Sequence, residues 1–302
     1  MNDPREQFAS TAVDLVDAHV DTAIVYAEIA GQYLNDARRR HPHRVINVGI
    51  REQLMVNVGA GLSLAGVFPI VHTFAPFLVE RAYEQIKLGF AHQDTDGMLV
   101  STGGSVDMAV AGRTHQSTAD VSLMGAVPGF AVHVPGTAAE VDQFIRHGHA
   151  TRGRSYVRVT AQQNSRSFDV GDGRLHRVRN GTGDLVVVAV GPVLDAVLAA
   201  TQGLDATVCY TATVRPFDDD GLRAALGVTA PDVVLVEPYL AGTSAHQVSS
   251  ALDHRPHRLL SLGFGVEEIR QYGTAAQHLS AAGLDAVGLA RSIRSWRTPV
   301  AA

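Results

Sequence analysis

One carboxylate in this 302-residue chain stands apart from the solvated acids. Glu52, in RVINVGIREQLMVNVGAGLSLAGVFPIVHTFAPF, lies between two apolar, glycine-punctuated segments. A carboxyl group in a largely dry place has its ionised form disfavoured, and its pKa rises toward the range where it shares a proton with a weak base. The plainer role for an acid at a helix start is attraction to the positive end of the helix dipole, and position alone does not choose between the two. Phe74 and Phe77 follow the next apolar run. Periodicity assigns such a pair to the core, yet an aromatic face also stacks on flat heterocycles, worth about 0.5–1.5 kcal/mol beyond burial. His115, in GRTHQ, is either a solvated histidine opening a helix capped by Thr114 or a hydrogen-bond donor and proton shuttle. Its neighbour Arg113 is either solvated or free to bind an acid group. Arg51 and His72 lie near Glu52 and Phe74 in sequence and receive no role.

Positioning these groups requires strands and helices in alternation. An opening helix over residues 2–20 has Phe8, Ala12, Leu15 and Val16 on one face, and DTAIVYAEI is the first strand, ending near Glu28. Val45 to Gly49 reads as a short strand buried on both faces, after which Leu54, Val58, Leu62 and Ala65 recur at helical spacing. Gly59, Ala60 and Gly61 leave that helix a small face for close approach of another backbone. VFPIVHTF, GMLVST, FAVHVP and SYVRVT are strands, interleaved with helices over FLVERAYEQIKLGFAHQ, QSTADVSLMGAV and TAAEVDQFIRHGHA. The expected first domain covers residues 1–164, with a polar, glycine-rich linker over 165–183. A second α/β domain, 184–302, holds LVVVAVG, DATVCYTATV, DVVLVEP and HRLLSLGF and ends in a helix through Leu289, Ile293 and Trp296. The expected class is thus α/β, with a parallel sheet covered on both faces in the first domain.

Composition narrows the functions. Charged residues make up 18% and the net charge is -5, which leaves no footprint for nucleic acid and no disordered acidic tail. Lys87 is the single lysine among 25 basic residues, and Cys209 is the single cysteine, in an apolar run where it reads as an inert core thiol. MNDPREQFAS lacks the regions of a secretory signal, and no apolar run approaches the roughly 20 residues that span a bilayer. The expectation is a cytoplasmic protein with no membrane partner.

NVGIREQ, AGLSLAG, PIVHTFAPF and GRTHQSTADVSLM, in this order and at this spacing, resemble the pyrimidine-binding domain of transketolases. The match runs from about Asp14 to Asn164, and the second half is similar to the family's C-terminal domain, which chiefly supports dimerisation. The resemblance implies thiamine diphosphate as cofactor. It implies that Glu52 hydrogen-bonds the aminopyrimidine N1', favouring the imino tautomer whose exocyclic nitrogen takes the thiazolium C2 proton. Phe74 and Phe77 would line the pyrimidine pocket, with Phe77 the stacking partner, and Glu28 would stand beside the cofactor at its strand end. His115 would contact the donor ketose. In EPYLAGTSAHQ, Glu237 and His246 are expected at a strand end and on a helix facing a subunit contact.

The chain also departs from the family. The aspartate that reads a sugar hydroxyl is replaced by Ala111, and the histidine and arginine that bind the acceptor phosphate by Gly103 and Ala161. Each charge-assisted contact is worth about 1.5–3 kcal/mol, so the expected acceptor is an unphosphorylated or carrier-tethered aldehyde of a specialised biosynthetic pathway, with Arg113 available for an acid group. The family's Mg²⁺ and diphosphate site is also missing. GDG occurs only at Gly171–Gly173, in a turn, and no asparagine follows Asn180. The diphosphate and Mg²⁺ ligands are therefore expected on an N-terminal partner subunit, with this chain as the C-terminal half of a split transketolase in a heterotetramer of two copies of each, and a homodimer when alone. The alternatives are a β-subunit of a 2-oxoacid dehydrogenase, a deoxyxylulose-phosphate-synthase-like enzyme, and a non-catalytic scaffold subunit.

Overall fold

A computed structural model of the chain describes residues 3–226 and 230–298, so positions 1–2 and 299–302, the outer ends of the two expected domains, lie outside the described residues. Apolar runs in the first half become β1 (Thr22–Tyr26), β2 (Val45–Asn47), β3 (Phe68–Phe74), β4 (Gly97–Thr102), β5 (Phe130–His133) and β6 (Arg154–Arg158), all parallel. β1 and β4 are buried at every position, as strands covered on both faces must be. One face is covered by α1 (Pro4–Ala18), whose Phe8, Ala12 and Val16 pack with Ile24, Ile70 and Val100. On the other face α3 (Glu52–Leu64), which follows α2 (Gly31–Arg40), sets Met55, Val56 and Ala60 against Val25, Val71 and Leu99.

Of the two faces expected on α3, the small-residue face at Gly59 and Ala60 is buried and the Leu54 face is not. Leu54 is 44% exposed, and the core residues are Met55, Val56, Gly59 and Ala60. Gly59 decides this: a Cβ there would lie 2.6 Å from Val71 Cγ2, so its missing side chain lets the helix lie directly on β3. The helix expected after β3 is also modified. It runs as two wide π-type turns, Pro76–Glu80 and Ile86–His92, around the short α4 (Tyr83–Gln85). Such turns re-aim side chains and are frequent at functional sites.

α5 (Asp120–Gly125) and α6 (Ala138–Thr151) complete the first half. The second sheet holds β7 (His176–Arg179), β8 (Leu185–Val190), β9 (Ala206–Thr211), β11 (Asp232–Leu240) and β12 (Arg258–Phe264) in the order β12-β11-β8-β9-β7, with only β7 antiparallel. β7 lies in the stretch read as a linker. Phe168 and Val170 of that stretch are buried, and their backbone N–H groups donate to Glu140 Oε1 and Gln143 Oε1 of α6, so the segment is docked along its length. DATVCYTATV is two strands in two sheets. At Thr211 the hydroxyl bonds to the Thr213 carbonyl and accepts the Thr213 N–H, which breaks the strand. β10 (Thr213–Arg215) then pairs antiparallel with β5, giving the first sheet the order β10-β5-β6-β4-β3-β1-β2. The helices α7 (Leu194–Ala200), α8 (Asp219–Ala225), α9 (Ala245–Ala251), α10 (Ala275–Ala281) and α11 (Ala286–Arg297) pack around the second sheet, α11 through buried Leu289 and Ile293. No described helix is long and apolar enough to cross a membrane.

Gly59→Ala should destabilise the chain by about 1–3 kcal/mol through overpacking. Gly61→Ala, with nothing within 4 Å of the new Cβ, should be neutral or stabilising by about 0.5–1 kcal/mol from helix propensity. Urea unfolding of the two variants checks the contrast, and equal effects would refute the close-approach account. Glu237, buried in β11, accepts the N–H groups of Gly242 and Ser244, and burial pushes its carboxyl up from 4.5 to about 7. Its contribution to stability is therefore full below pH 4.5 and lost as pH rises through about 7. Denaturation midpoints measured across that window should fall less steeply in Glu237→Gln than in the wild type.

Candidate active site

Glu52 is placed by the turn that precedes it. Gly49 takes φ +71°, and its N–H donates to Asn47 Oδ1 at 2.9 Å, turning the chain from β2 into α3. The carboxylate is 2% exposed, and Oε2 accepts a 2.7 Å hydrogen bond from Arg81 Nη1. Among the described residues this is its one side-chain partner, so Oε1 is left for another donor. Arg81 ends the first wide turn after β3, and its guanidinium lies 4.2 Å from the centre of the Phe77 ring. Arg81 thus joins the buried acid to the aromatic residues.

Phe77 and Phe74 meet at 6.1 Å between ring centres, and His115 stands edge-on to both, at 5.1 Å from Phe77 and 5.8 Å from Phe74. All three side chains are half-buried, although apolar rings at the end of a core strand have every reason to be covered. His115 sits in a 3-10 turn, Arg113–His115, and α5 begins only at Asp120. Thr114 therefore caps no helix. Its hydroxyl pairs with His115 Nδ1 at 3.0 Å, which leaves Nε2 as the ring atom free to bond a ligand.

Glu28 falls outside this cluster. It lies just past β1 with φ 60°, exposed, and its N–H donates to Asn47 Oδ1. It lines a cavity of about 380 Å³ that shares Phe74 with the cluster. Arg113 has its acid partner within the chain: Nε lies 2.9 Å from Glu268, on the loop after β12, and Nη1 donates to the Gln116 carbonyl. Gly103 has φ +71°, and a Cβ on it would stand 2.9 Å from the Phe74 ring. A histidine there would collide with the ring, so the substitution and the position of Phe74 belong together.

Two residues that carried no role in the sequence matter to this geometry. Arg158 of β6 is fully buried, paired with buried Asp120 at 2.7 Å, and its Nη2 donates to Ser105 Oγ at 2.6 Å. Ser105 exchanges backbone hydrogen bonds with Ser117, so the pair fixes the loop that carries His115. An arginine inside the strand SYVRVT was the available signal. The second is His72, fully buried in β3, whose Nδ1 lies 2.9 Å from the Val100 carbonyl. A separate group of possible metal ligands, His19, Asp21 and His149, lies at the opposite end of the strands, where Arg152 Nη2 already donates to Asp21.

Removing Arg81 leaves a buried carboxylate unpaired. Arg81→Ala should lower stability by about 1–3 kcal/mol, less than a fully buried pair because the guanidinium is partly solvated. Adding Glu52→Gln should restore most of the loss, and additive effects in this double-mutant cycle would refute the coupling.

Residues 5–165 match the family described as the transketolase pyrimidine-binding domain. The chain is 47% identical, over 96% of its length and 93% of the other's, to an uncharacterised 33.6 kDa protein of the fasciation locus of Rhodococcoides fascians. It is 30% identical, over 70% of its length and 72% of the other's, to a 6-deoxy-6-sulfo-D-fructose transketolase subunit, SqwH, of Clostridium sp. (strain MSTE9). Against the 1-deoxy-D-xylulose-5-phosphate synthase of Anaeromyxobacter dehalogenans (strain 2CP-1 / ATCC BAA-258) it is 31% identical over 90% of its own length, and spans 45% of that enzyme. Among solved structures, a split gene transketolase described as an inactive β4 tetramer superposes with a TM-score of 0.81 at 25% identity, covering 97% of both chains.

Proposed function

The chain belongs to the transketolase family, as a bearer of its pyrimidine-binding domain, and we propose that it is one subunit of a two-component transketolase. In this reading it moves a two-carbon ketol unit from a ketose to an aldehyde acceptor that carries no phosphate. The observation that carries the proposal is the pairing of a buried carboxylate having one free oxygen with three half-open rings, at the end of a sheet matched in fold to the split enzyme. These residues fit thiamine diphosphate: Glu52 Oε1 offers an acceptor to a ring N–H, and Phe77 and Phe74 offer faces to a flat heterocycle. When bound, the cofactor supplies the nucleophilic carbon that carries the two-carbon unit. Glu52 Oε1 accepts its hydrogen bond in a place that water scarcely reaches, with Arg81 fixing the carboxylate through Oε2. His115 Nε2 donates to or accepts from a substrate oxygen, and the phenylalanines keep the reacting groups dry. Arg113 is held by Glu268, so as a substrate residue it would act only after that exposed pair opens.

The partner is proposed on chemical grounds. Mg²⁺ and the diphosphate need a dense set of oxygen and N–H ligands, and none surrounds Glu52 among the described residues. Exposed Ile50, Leu54, Leu88 and Val110 are 73%, 44%, 50% and 73% open, an apolar fringe suited to a chain that completes the site. An α2β2 assembly is the simplest that does so. Gly103 has no room for the histidine of a phosphate contact, which supports the unphosphorylated acceptor. The likeness to a deoxyxylulose-phosphate synthase makes a condensation using pyruvate the second reading.

Calorimetry with thiamine diphosphate and Mg²⁺ should give heat of binding only when this chain is mixed with its diphosphate-domain partner. Tight binding to this chain alone would overturn the split site. In the assembled complex Glu52→Gln should lower kcat by about 10²–10⁴-fold, whatever the acceptor, and undiminished turnover would favour the scaffold reading. Pyruvate consumption in place of ketol transfer would favour the condensation.

A further inference from the structure

The end of the first sheet opposite Glu52 carries a second cluster of reactive side chains. His19 closes α1, Asp21 stands just before β1, and His149 lies in the last turn of α6, so two segments far apart in sequence meet at the N-terminal end of β1. One ring nitrogen from each histidine and one Asp21 oxygen lie within 4.8 Å of one another. A cavity of about 370 Å³ opens beside them, lined by Leu15, His19, Arg146, His149, Ala150 and Arg152.

His149 is the anchor of the cluster. It is 5% exposed, with the His19 ring 4.5 Å away between centres and the Phe68 ring edge-on at 5.5 Å. Thr22 Oγ1 lies 2.8 Å from Nε2, and Nδ1 has no hydrogen-bond partner among the described residues. A hydroxyl oxygen accepts as readily as it donates, so Nε2–H can donate to Thr22 and leave the lone pair on Nδ1. A metal-bound histidine is held in this way, one ring nitrogen on the ion and the other donating to a fixed oxygen. His19 and Asp21 have side chains open to solvent on a pinned backbone: the His19 carbonyl accepts Arg44 Nη1 at 3.0 Å, and the Asp21 carbonyl accepts the Phe68 N–H at 2.7 Å. Bonds of about 2 Å to a tetrahedral ion set its ligand atoms about 3.3 Å apart, a closure that rotation of these two open side chains supplies.

Two arginines face the cluster. Arg146 is held by Asp14 and Asp142 at 2.9 and 3.0 Å. Arg152 donates to Asp21 Oδ2 at 2.8 Å and lies 4.9 Å from the centre of the Phe68 ring. Asp21 Oδ1 is left for an ion, with Arg152 as the donor that orients the carboxylate.

We propose that His19, Asp21 and His149 bind a divalent transition-metal ion of the Zn²⁺ class, which staples the turn between α1 and β1 to the end of α6. Two imidazoles and one carboxylate suit Zn²⁺, Co²⁺ or Ni²⁺, whereas Ca²⁺ and Mg²⁺ take oxygen shells. The two guanidinium charges oppose any cation, so only an ion that bonds strongly to imidazole nitrogen gains enough to bind. Three protein ligands leave the fourth position to water. The site holds α1 and α6 together at the far end of the sheet from Glu52 and His115, and it stands independently of the transketolase reading.

The test is calorimetry of the tag-free full chain, stripped with EDTA, against ZnCl₂. One equivalent should bind, and the thermal midpoint should rise with it. His19→Gln, at an exposed position, should weaken binding at least tenfold, and His149→Gln should do the same. His254→Gln, at an exposed histidine in the second half of the chain, should change nothing. The absence of saturable Zn²⁺ binding overturns the site. Binding of equal strength in His19→Gln overturns it as well, because the ion is then held adventitiously by other surface histidines.

Discussion

Two ions sealed from water set the geometry of the loop that carries His115. Arg158 and Asp120 are both fully buried, and removing such a pair from solvent carries a penalty of several kcal/mol per ion that only good geometry and further hydrogen bonds offset. The offset is partial: Tyr156 donates to the same Asp120 oxygen at 2.6 Å and Arg158 reaches Ser105, while Asp120 Oδ1 and Arg158 Nη1 are buried without a partner. Neither ion can leave without stranding the other. β6, α5 and the loop through Ser105 and Ser117 must therefore move together or not at all. His115 inherits its position from that restraint, although it touches neither ion.

The Glu52–Arg81 pair has nearly the same length and the opposite character. Its carboxylate is 2% exposed, but its guanidinium side chain is 39% exposed. Solvent therefore offers Arg81 an alternative that Arg158 does not have, and the pair can open at far smaller cost. Arg81 also lies over one face of the Phe77 ring. Burial on one side and exposure on the other thus separate a pair that holds structure from a pair that can exchange partners when a ligand arrives.

The parts legible in the sequence are those fixed by neighbours along the chain. Apolar runs and helical spacing located β1, β3, β4, β8 and α11, and the motif order brought Glu52, Phe74, Phe77 and His115 into consideration as one site. What escaped depends on contacts between distant segments. Which of the two expected faces of α3 is buried is chosen by Gly59 lying on Val71, which no helical wheel records. Thr211 breaks an apolar run because its hydroxyl bonds the backbone of Thr213, and so sends β10 to another sheet. His72 looked like any polar residue in a strand; only the carbonyl of Val100 on the neighbouring strand fixes its tautomer.

The second half of the chain reads as a dimerisation domain poor in chemistry, yet it is built into the loop that carries His115. Leu240 N–H donates to the Thr118 carbonyl at 2.8 Å, the Ser105 hydroxyl donates to the Pro238 carbonyl, and Glu268 pairs with Arg113. Gly112 must be glycine, because it takes φ +75° and a Cβ would stand 2.6 Å from the Tyr272 ring. Residues 112–118 are thus gripped by β11 and the loop after β12 as well as by the Arg158 network of the first sheet. On the proposed function, a histidine that meets a substrate oxygen within a fraction of an ångström would not draw its rigidity from a 3-10 turn alone. The second sheet supplies that rigidity, which gives a structural reason for carrying it on the same chain as Glu52 and His115.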